Sequence, residues 1–189
     1  KGTGVVAGVA YAEAVWVRPR PALPTEGSID PEQASDSEYD RFLAAVDTVA
    51  GRLEQRAAAA EGQAAEVLTA TAGMVKDRGW HKAVRKNIRT GRDAEFATVG
   101  ATDKFVTMFE AAGGVMAERT TDLKDVRDRV IAELRGEDEP GLPLVDGEAV
   151  LFADDLAPAD TATLDTKHIK ALVTELGGPT SHTAIIARQ

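Results

Sequence analysis

The chain has 189 residues, of which 43% are hydrophobic and 28% charged, a composition typical of a globular protein rather than a disordered one. A formal net charge of -9 disfavours nucleic acid as a partner, since no basic patch stands out, and favours a basic protein; the lack of cysteine excludes disulfides and thiolate metal sites. No apolar run approaches the about 20 residues of a membrane span, so we expect a cytoplasmic protein with no membrane partner.

The first predicted elements are one or two strands followed by a helical block. β-branched and aromatic residues over 5–17 predict the strands, and the proline-rich segment "RPRPALPTEG" ends them. From "SIDPEQ" onwards, apolar residues recur at spacings of three and four, which indicates a long helix and then two shorter helices after Gly62. Two more helices follow, the first stopped by Gly113 and Gly114.

Strand character returns in the last third of the chain. The runs "AVLFAD" and "HIKALVTE" are short and β-branched, and they are separated by a helix or turn over about residues 158–164. The pattern therefore predicts a mixed α/β and α+β architecture. An α/β domain of residues 1–20 and 144–189 is interrupted by an inserted α-helical bundle of residues 21–143.

The stretch "LGGPTSHTAIIARQ" carries the candidate chemistry. Two glycines follow an apolar strand-like run, and the hydroxyl residues precede a helix-like run, whose N-terminus would favour an anion. A neutral imidazole is a competent nucleophile when its other ring nitrogen is held by an acceptor. The candidate nucleophile is His182, and its acceptor could be Thr180, Ser181 or a residue from elsewhere, such as Thr161. The phosphate-supporting candidates are Gly177, Gly178, Thr180 and Ser181.

Other interpretations of the same residues remain open at this point. A Gly-Gly turn with an incidental histidine explains the stretch "GGPTSH" without chemistry. A metal site is disfavoured because His81 and His168 have no ligand spacing to His182 and cysteine is absent. A serine hydrolase is disfavoured because no G-x-S-x-G turn surrounds Ser181.

The stretch "GGPTSHTAIIAR" resembles the phosphohistidine signature G-G-x-T-S-H-x-A-I-x-A-R. That signature is shared by Enzyme I of the bacterial phosphotransferase system and by the swivelling domains of phosphoenolpyruvate synthase and pyruvate phosphate dikinase. The segments "GTGVVAGVAYAEAVWV", "MFEAAGGVMAERTTDLKDVRDRVI" and "ADDLAPADTATLD" resemble Enzyme I in particular. The chain is therefore identified as similar to the N-terminal region of the Enzyme I family.

The resemblance implies a transferase of the sugar phosphotransferase system. His182 would take a phosphoryl group from phosphoenolpyruvate and pass it to a histidine of the carrier protein HPr, and Thr161 would accept a hydrogen bond from the imidazole Nδ1. The inserted helical block would bind HPr. Arg119, Met74 and Val75 are the candidate contacts, with a solvated helix face as the alternative for Arg119 and bundle core as the alternative for the other two.

The resemblance also implies that family members contain a C-terminal part that this sequence does not include. The chain has no initiating methionine and stops inside a helix-like pattern, so we expect a piece of a longer protein. In the family, a C-terminal barrel binds phosphoenolpyruvate and Mg²⁺ and forms the homodimer. We therefore expect these residues to be monomeric, to bind no metal, and not to phosphorylate themselves from phosphoenolpyruvate. The competing functions are the swivelling domain of a dikinase or phosphoenolpyruvate synthase and a catalytically silent helical interaction module.

Overall fold

The structure is a computed structural model, and it describes residues 3–142, 145, 147–154, 156, 160, 164 and 166–176. The chain divides into two compact units. The sheet unit comprises Lys1–Pro19 and Pro140–Gln189, and the helical unit comprises Arg20–Glu139. The chain thus leaves the sheet unit once, forms the whole helical unit, and returns.

The described strands form one parallel sheet in the order β1-β2-β3, with β1 at Glu13–Trp16, β2 at Ala149–Ala153 and β3 at Ile169–Thr174. β2 and β3 confirm the strands predicted from "AVLFAD" and "HIKALVTE". Because β1 and β2 are neighbours in the sheet, the helical unit occupies the connection between two adjacent parallel strands. This arrangement confirms the predicted fold class, an α/β portion interrupted by a helical bundle.

β1 is shorter than the sequence predicts, since only four residues of the segment 5–17 form a strand. Gly8, whose φ is +156°, lies before it, and β1 pairs with β2 alone within the described part of the chain. A β-branched segment needs a partner strand to satisfy its backbone groups, which explains why residues 5–9 form none.

The helical unit contains six helices among its described residues, and three of them begin at an aspartate. Asp30, Asp77 and Asp93 each accept a hydrogen bond from a backbone N–H of the first turn that they precede. The helices are α1 at Pro31–Ala59, α2 at Gly62–Val75, α3 at Arg78–Arg89, α4 at Ala94–Ala112, α5 at Gly114–Glu118 and α6 at Thr120–Arg135.

The core of the helical unit is centred on Phe42 of α1. Its ring is buried and meets the rings of Trp80 and His81 edge-on, with centroids 5.5 and 5.4 Å away. Trp80 is also buried, and its Nε1 donates a 3.1 Å hydrogen bond to the hydroxyl of Thr102 on α4. The apolar stripe predicted for α1 therefore packs as expected, and a buried hydrogen bond ties α3 to α4.

The short helix α5 is a feature that the sequence analysis did not predict. α4 ends at Ala112, as the glycines indicate, but the chain resumes helical geometry at Gly114. Gly113 and Gly114 have φ values of +66° and +56°, a region that favours glycine. The two glycines thus turn the chain between two helices rather than into an irregular loop.

Candidate functional site

The candidate phosphoryl-carrying segment begins at the carboxyl edge of the sheet. The pairing of β2 with β3 continues past the strand ends, where Glu175 donates from its N–H to the carbonyl of Ala153 (3.0 Å) and Leu176 donates to the carbonyl of Asp154 (2.8 Å). Leu176 is the residue immediately before "GGPTSH". The carboxyl edge of a parallel sheet is where α/β folds bind ligands, so the segment starts at a chemically suitable place.

Most of the predicted site lies outside the described residues. Its members there are Thr161, Gly177, Gly178, Thr180, Ser181 and His182, and their roles stay predictions. The structure does describe the strand ends from which their segments depart. The connection that contains Thr161 begins after β2, the segment that contains His182 begins after β3, and these two strands are adjacent and parallel.

The other two histidines lie elsewhere in the fold. His81 is half-buried in the helical unit, where its Nε2 is 2.8 Å from the carbonyl of Val75 at the end of α2. His168 directly precedes β3, at the amino edge of the sheet, and its carbonyl accepts a hydrogen bond from the N–H of Ala149. His81 therefore connects α3 to the C-terminus of α2, and His168 is at the opposite end of β3 from "GGPTSH".

Arg119 is exposed at the junction of α5 and α6. Its N–H donates to the carbonyl of Met116, and its own carbonyl accepts from Leu123 in the first turn of α6. Burial raises the pKa of the nearby Asp122, and the carboxylate of Asp125 raises it further, whereas the charge of Arg119 lowers it. The guanidinium is thus available at the surface while its charge partly compensates Asp122.

Met74 and Val75 differ in what they offer to a partner. Val75 is fully buried and belongs to the core of the helical unit, which is the alternative that the sequence left open. Met74 is only partly buried and packs against that core. Of the two, only Met74 has surface available for contact in this structure.

Three exposed apolar side chains of α4 and α5 were missed by the sequence analysis. Met108 near the end of α4 and Val115 and Met116 in α5 are 51, 69 and 40% exposed. A turn made by Gly113 and Gly114 separates the two elements. Their positions in the sequence could have indicated this exposure. Met108 falls outside the buried stripe of α4, and the helix α5 is too short to bury both of its large apolar residues.

A cluster of buried charges lies along α6. Arg129 bonds to Asp125 at 2.7 Å and also to Glu139, which pairs with Arg56 at 3.2 Å. These ion pairs fix the last residue of the helical unit onto α6. Apolar periodicity alone does not reveal such a cluster, because the charged residues of a helix are normally assigned to its solvated face.

The negative charge of a second carboxylate on α6, that of Asp128, is less well compensated by its neighbours. Asp128 is buried, accepts from the Nε of Arg127 at 2.8 Å, and has Arg20 at 3.6 Å. Its Oδ2 has no hydrogen-bond partner within the described part of the chain. Burial raises the pKa of Asp128, an effect that Arg127 and Arg20 oppose and Asp125 reinforces.

The surface of α3 corrects the expectation that no basic patch exists. Its sequence, "RGWHKAVRKNIR", contains no acidic residue, and its apolar members Trp80, Val84 and Ile88 are buried. Its five arginines and lysines are all exposed. The net charge of the chain concealed this local excess of positive charge.

Residues 3–142 and the described parts of the sheet unit contain neither a metal-binding cluster nor a membrane-spanning helix. No group of three or more histidine, cysteine, aspartate or glutamate side chains there is placed to hold a metal ion. No helix in those residues is long and apolar enough to cross a membrane.

Family models match two parts of the chain. Residues 1–119 match the family described as PEP-utilising enzyme, N-terminal, and residues 145–189 match PEP-utilising enzyme, mobile domain. The first match covers both β1 and most of the helical unit. The second contains β2, β3 and the stretch "GGPTSH".

Two curated relatives align with this chain over its whole length. The phosphoenolpyruvate-protein phosphotransferase of Streptomyces coelicolor is 42% identical over 188 residues, and that of Bacillus subtilis is 33% identical over 191 residues. Each alignment covers 100% of this chain but 34% of the relative. The chain therefore spans about a third of the length of the curated relatives that it matches.

Solved structures have the same fold. An NMR solution structure of Enzyme I superposes with a TM-score of 0.83 and 28% identity, covering 97% of this chain and 76% of that one. The N-terminal domain of Enzyme 1 - Nitrogen superposes with a TM-score of 0.64 and 22% identity, covering 97% and 77%. The second likeness concerns the fold alone.

Proposed function

Because the chain belongs to the PEP-utilising enzyme family, as an N-terminal region with the fold of Enzyme I, we propose that His182 carries a phosphoryl group from phosphoenolpyruvate to the carrier protein HPr. The observation that supports this most is the position of "GGPTSH" directly after β3, whose end is bonded to the end of β2 at the carboxyl edge of the sheet. We expect the reaction to take place in the cytoplasm, as the first step of the sugar phosphotransferase system.

The proposed reaction has two steps. In the first, the lone pair of the neutral His182 Nε2 forms a bond to phosphorus, and the bond from phosphorus to the enol oxygen of phosphoenolpyruvate breaks, which releases the enolate of pyruvate. In the second, a histidine nitrogen of HPr attacks the same phosphorus and the bond to Nε2 breaks. The second step restores the neutral His182, and the phosphoryl group that came from phosphoenolpyruvate is then bound to HPr.

The neighbouring residues would prepare the imidazole and hold the phosphoryl group. The Thr161 hydroxyl would accept a hydrogen bond from Nδ1–H, which leaves the lone pair on Nε2. Gly177 and Gly178 would allow the backbone to approach the phosphoryl oxygens closely. Thr180 and Ser181 would donate hydroxyl hydrogen bonds where a helix N-terminus favours negative charge.

We propose that HPr docks on the helical unit at the surface around Arg119. Arg119 is an exposed cation, and the apolar side chains Met108, Val115 and Met116 of α4 and α5 are exposed as well. Apolar patches rimmed by charged residues are typical of protein-protein contacts. Met74 can contribute through its exposed part, whereas Val75 would act only by packing beneath the surface.

Phosphoenolpyruvate and Mg²⁺ would bind outside these 189 residues. The chain corresponds to about a third of each curated relative, and its described residues contain no cluster arranged for a metal. We therefore propose that these residues exchange a phosphoryl group with phospho-HPr but do not become phosphorylated by phosphoenolpyruvate and Mg²⁺ alone. Phosphorylation of His182 under the latter conditions would contradict the proposal.

The direct experiment is phosphoryl exchange with ³²P-labelled phospho-HPr. We expect label to move to this chain in an acid-labile, base-stable form, which is the behaviour of a phosphohistidine. His182→Ala should abolish the transfer. His168→Gln is the matched control, because it removes a histidine at the other edge of the same sheet and should leave the transfer unchanged.

Two further results would count against the proposal. If a folded chain neither binds HPr nor receives label from phospho-HPr, HPr is not its donor, and the swivelling domain of a dikinase becomes the better interpretation. If His182→Ala and the unaltered chain bind HPr equally and neither accepts label, a silent interaction module is the better one. Circular dichroism of each variant establishes that the chain is folded.

A further inference from the structure

The exposed face of α3 is a stripe of positive charge. Its arginines and lysines recur at spacings of three and four, so that they lie on one side of the helix, opposite the buried Trp80, Val84 and Ile88. The stripe extends over eleven residue steps, or about 16 Å at 1.5 Å per residue. Its members are Arg78, Lys82, Arg85, Lys86 and Arg89.

Helix stability does not explain this stripe. Lys86 and Arg89 lie in the last turn, where a cation interacts favourably with the helix dipole, but Arg78 is in the first turn, where it does not. Cations three or four residues apart on one helix repel each other, by a few tenths of a kcal/mol for each pair. The stripe therefore costs stability that an external anion could restore.

Carboxylates of this molecule do not neutralise the stripe. None of its five cations forms an ion pair among the described residues, although nine other arginines and lysines there do. Arg85 instead stacks over the ring of Tyr39 on α1, 4.8 Å from its centroid. In a chain of net charge -9, five unpaired cations on one helix are a local exception.

The surroundings favour a compact acidic partner over an extended polyanion. Asp36 and Asp40 are exposed on α1 and lie within three residues of Tyr39, the residue that Arg85 covers. A nucleic acid duplex would meet these carboxylates as well as the cations. A bilayer would find no apolar residue to bury, because those of α3 already lie in the core.

We propose that the α3 stripe binds an acidic segment of a partner protein, with carboxylates spaced along about three helical turns. The partner is recognised by charge complementarity to Arg78, Lys82, Lys86 and Arg89. Arg85 supports the surface by its contact with Tyr39. This interaction is separate from the proposed phosphoryl transfer, since it involves neither the stretch "GGPTSH" nor the residues proposed to contact HPr.

The test uses the full chain and a fluorescein-labelled helical peptide of about twelve residues, with glutamates at the spacing of the stripe and a glutamine version as the control. Fluorescence anisotropy should show binding of the glutamate peptide only. Lys82→Gln/Lys86→Gln should weaken that binding by about twofold to thirtyfold, since two exposed ion pairs of about 0.2–1 kcal/mol each are lost. Salt raised from about 50 to about 500 mM should weaken it as well.

Lys104→Gln/Lys170→Gln is the matched control, because it changes the net charge equally at two exposed lysines outside α3. Equal loss of binding in both double variants would overturn the proposal, since it would show an effect of net charge alone. Tighter binding to a DNA duplex or to phosphatidylglycerol vesicles than to the peptide would also overturn it. So would a dimer, measured by sedimentation velocity, that Lys82→Gln/Lys86→Gln dissociates, because the acidic partner would then be a second copy.

Discussion

The helical unit and the sheet unit differ in how they bury their apolar residues. In the helical unit, large side chains of five helices are buried together, with Phe42 and Trp80 among those most completely enclosed. In the described part of the sheet unit, the fully buried residues belong mainly to β2, while Val9, Tyr11 and Trp16 are exposed. Among the described residues, the unit proposed to bind HPr thus has the more extensive core.

If the proposed site is correct, the residues that stabilise the chain and the residues that carry the phosphoryl group lie in different units. Substitutions in the helical core should change unfolding without changing the reactivity of His182. Substitutions in "GGPTSH" should do the reverse. The chain contains two tryptophans, Trp16 in the sheet unit and Trp80 in the helical unit, so the two parts can be followed separately.

The largest effect is expected for Phe42→Ala in the helical unit. The substitution leaves a cavity beside Trp80 and His81 and should lower the free energy of unfolding by about 3–5 kcal/mol. Urea denaturation followed by Trp80 fluorescence in a Trp16→Phe background measures this. Val9→Ala, at a fully exposed residue of the sheet unit, should leave the free energy of unfolding almost unchanged. Equal losses of stability in the two variants would contradict the difference in burial between Phe42 and Val9.

A smaller loss is expected for Thr102→Val. The buried Nε1–H of Trp80 would then have no acceptor, which should cost about 1–3 kcal/mol. Thr107→Val is the matched control on the same helix, because Thr107 is exposed and bonds only to the carbonyl of Asp103. If urea denaturation shows that the two substitutions lower the free energy of unfolding equally, the buried hydrogen bond does not stabilise the core.

The buried Asp128 should make the stability of the helical unit depend on pH. Its pKa is raised in the folded chain, mainly by burial, above the 3.8 of an unperturbed aspartate. The folded state then binds the proton more tightly than the unfolded state, so stability is lost as the pH rises through the folded pKa. Asp128→Asn removes this loss while keeping an acceptor for Arg127.

Urea denaturation of Asp128→Asn and the unaltered chain between about pH 4 and pH 7 tests this prediction. The variant should gain stability relative to the unaltered chain as the pH rises. A relative stability that falls with rising pH would mean that Arg127 and Arg20 together outweigh burial at Asp128.

The smallest effect is expected at the surface of the helical unit. Lys76 pairs with Glu54 at 2.6 Å, but both side chains are about half exposed. Such pairs contribute about 0–1 kcal/mol, so Lys76→Ala should shift the urea midpoint only slightly, and less in high salt. A loss as large as that of Thr102→Val would show that this surface contact is more important than its exposure indicates.

The sequence predicted the helices and two of the strands because their signals are local. Apolar residues at helical spacing located α1, α2, α3, α4 and α6, and short β-branched runs located β2 and β3. The glycines before α5 were interpreted as a stop signal because glycine ends helices more often than it begins them. β1 was overestimated since strand pairing depends on a partner that is distant in sequence.

The candidate chemistry could be predicted from the stretch "GGPTSH", whereas the charged surfaces could not be predicted from apolar spacing. The buried Arg129 of α6 and the exposed Lys82 of α3 are both charged residues in amphipathic helices. Only the packing around each helix distinguishes a charge in a buried ion pair from one that faces solvent. The sum of charges over the chain also concealed the stripe on α3, since acidic residues elsewhere outnumber it.

The most direct test of the central claim is to identify the phosphorylated atom. After incubation of the ¹⁵N-labelled chain with phospho-HPr, ³¹P and ¹⁵N NMR spectra report which histidine carries the phosphoryl group and on which ring nitrogen. We expect a single phosphohistidine, at His182 and on Nε2. A phosphoryl group on His81 or His168, or on Nδ1 of His182, would contradict it.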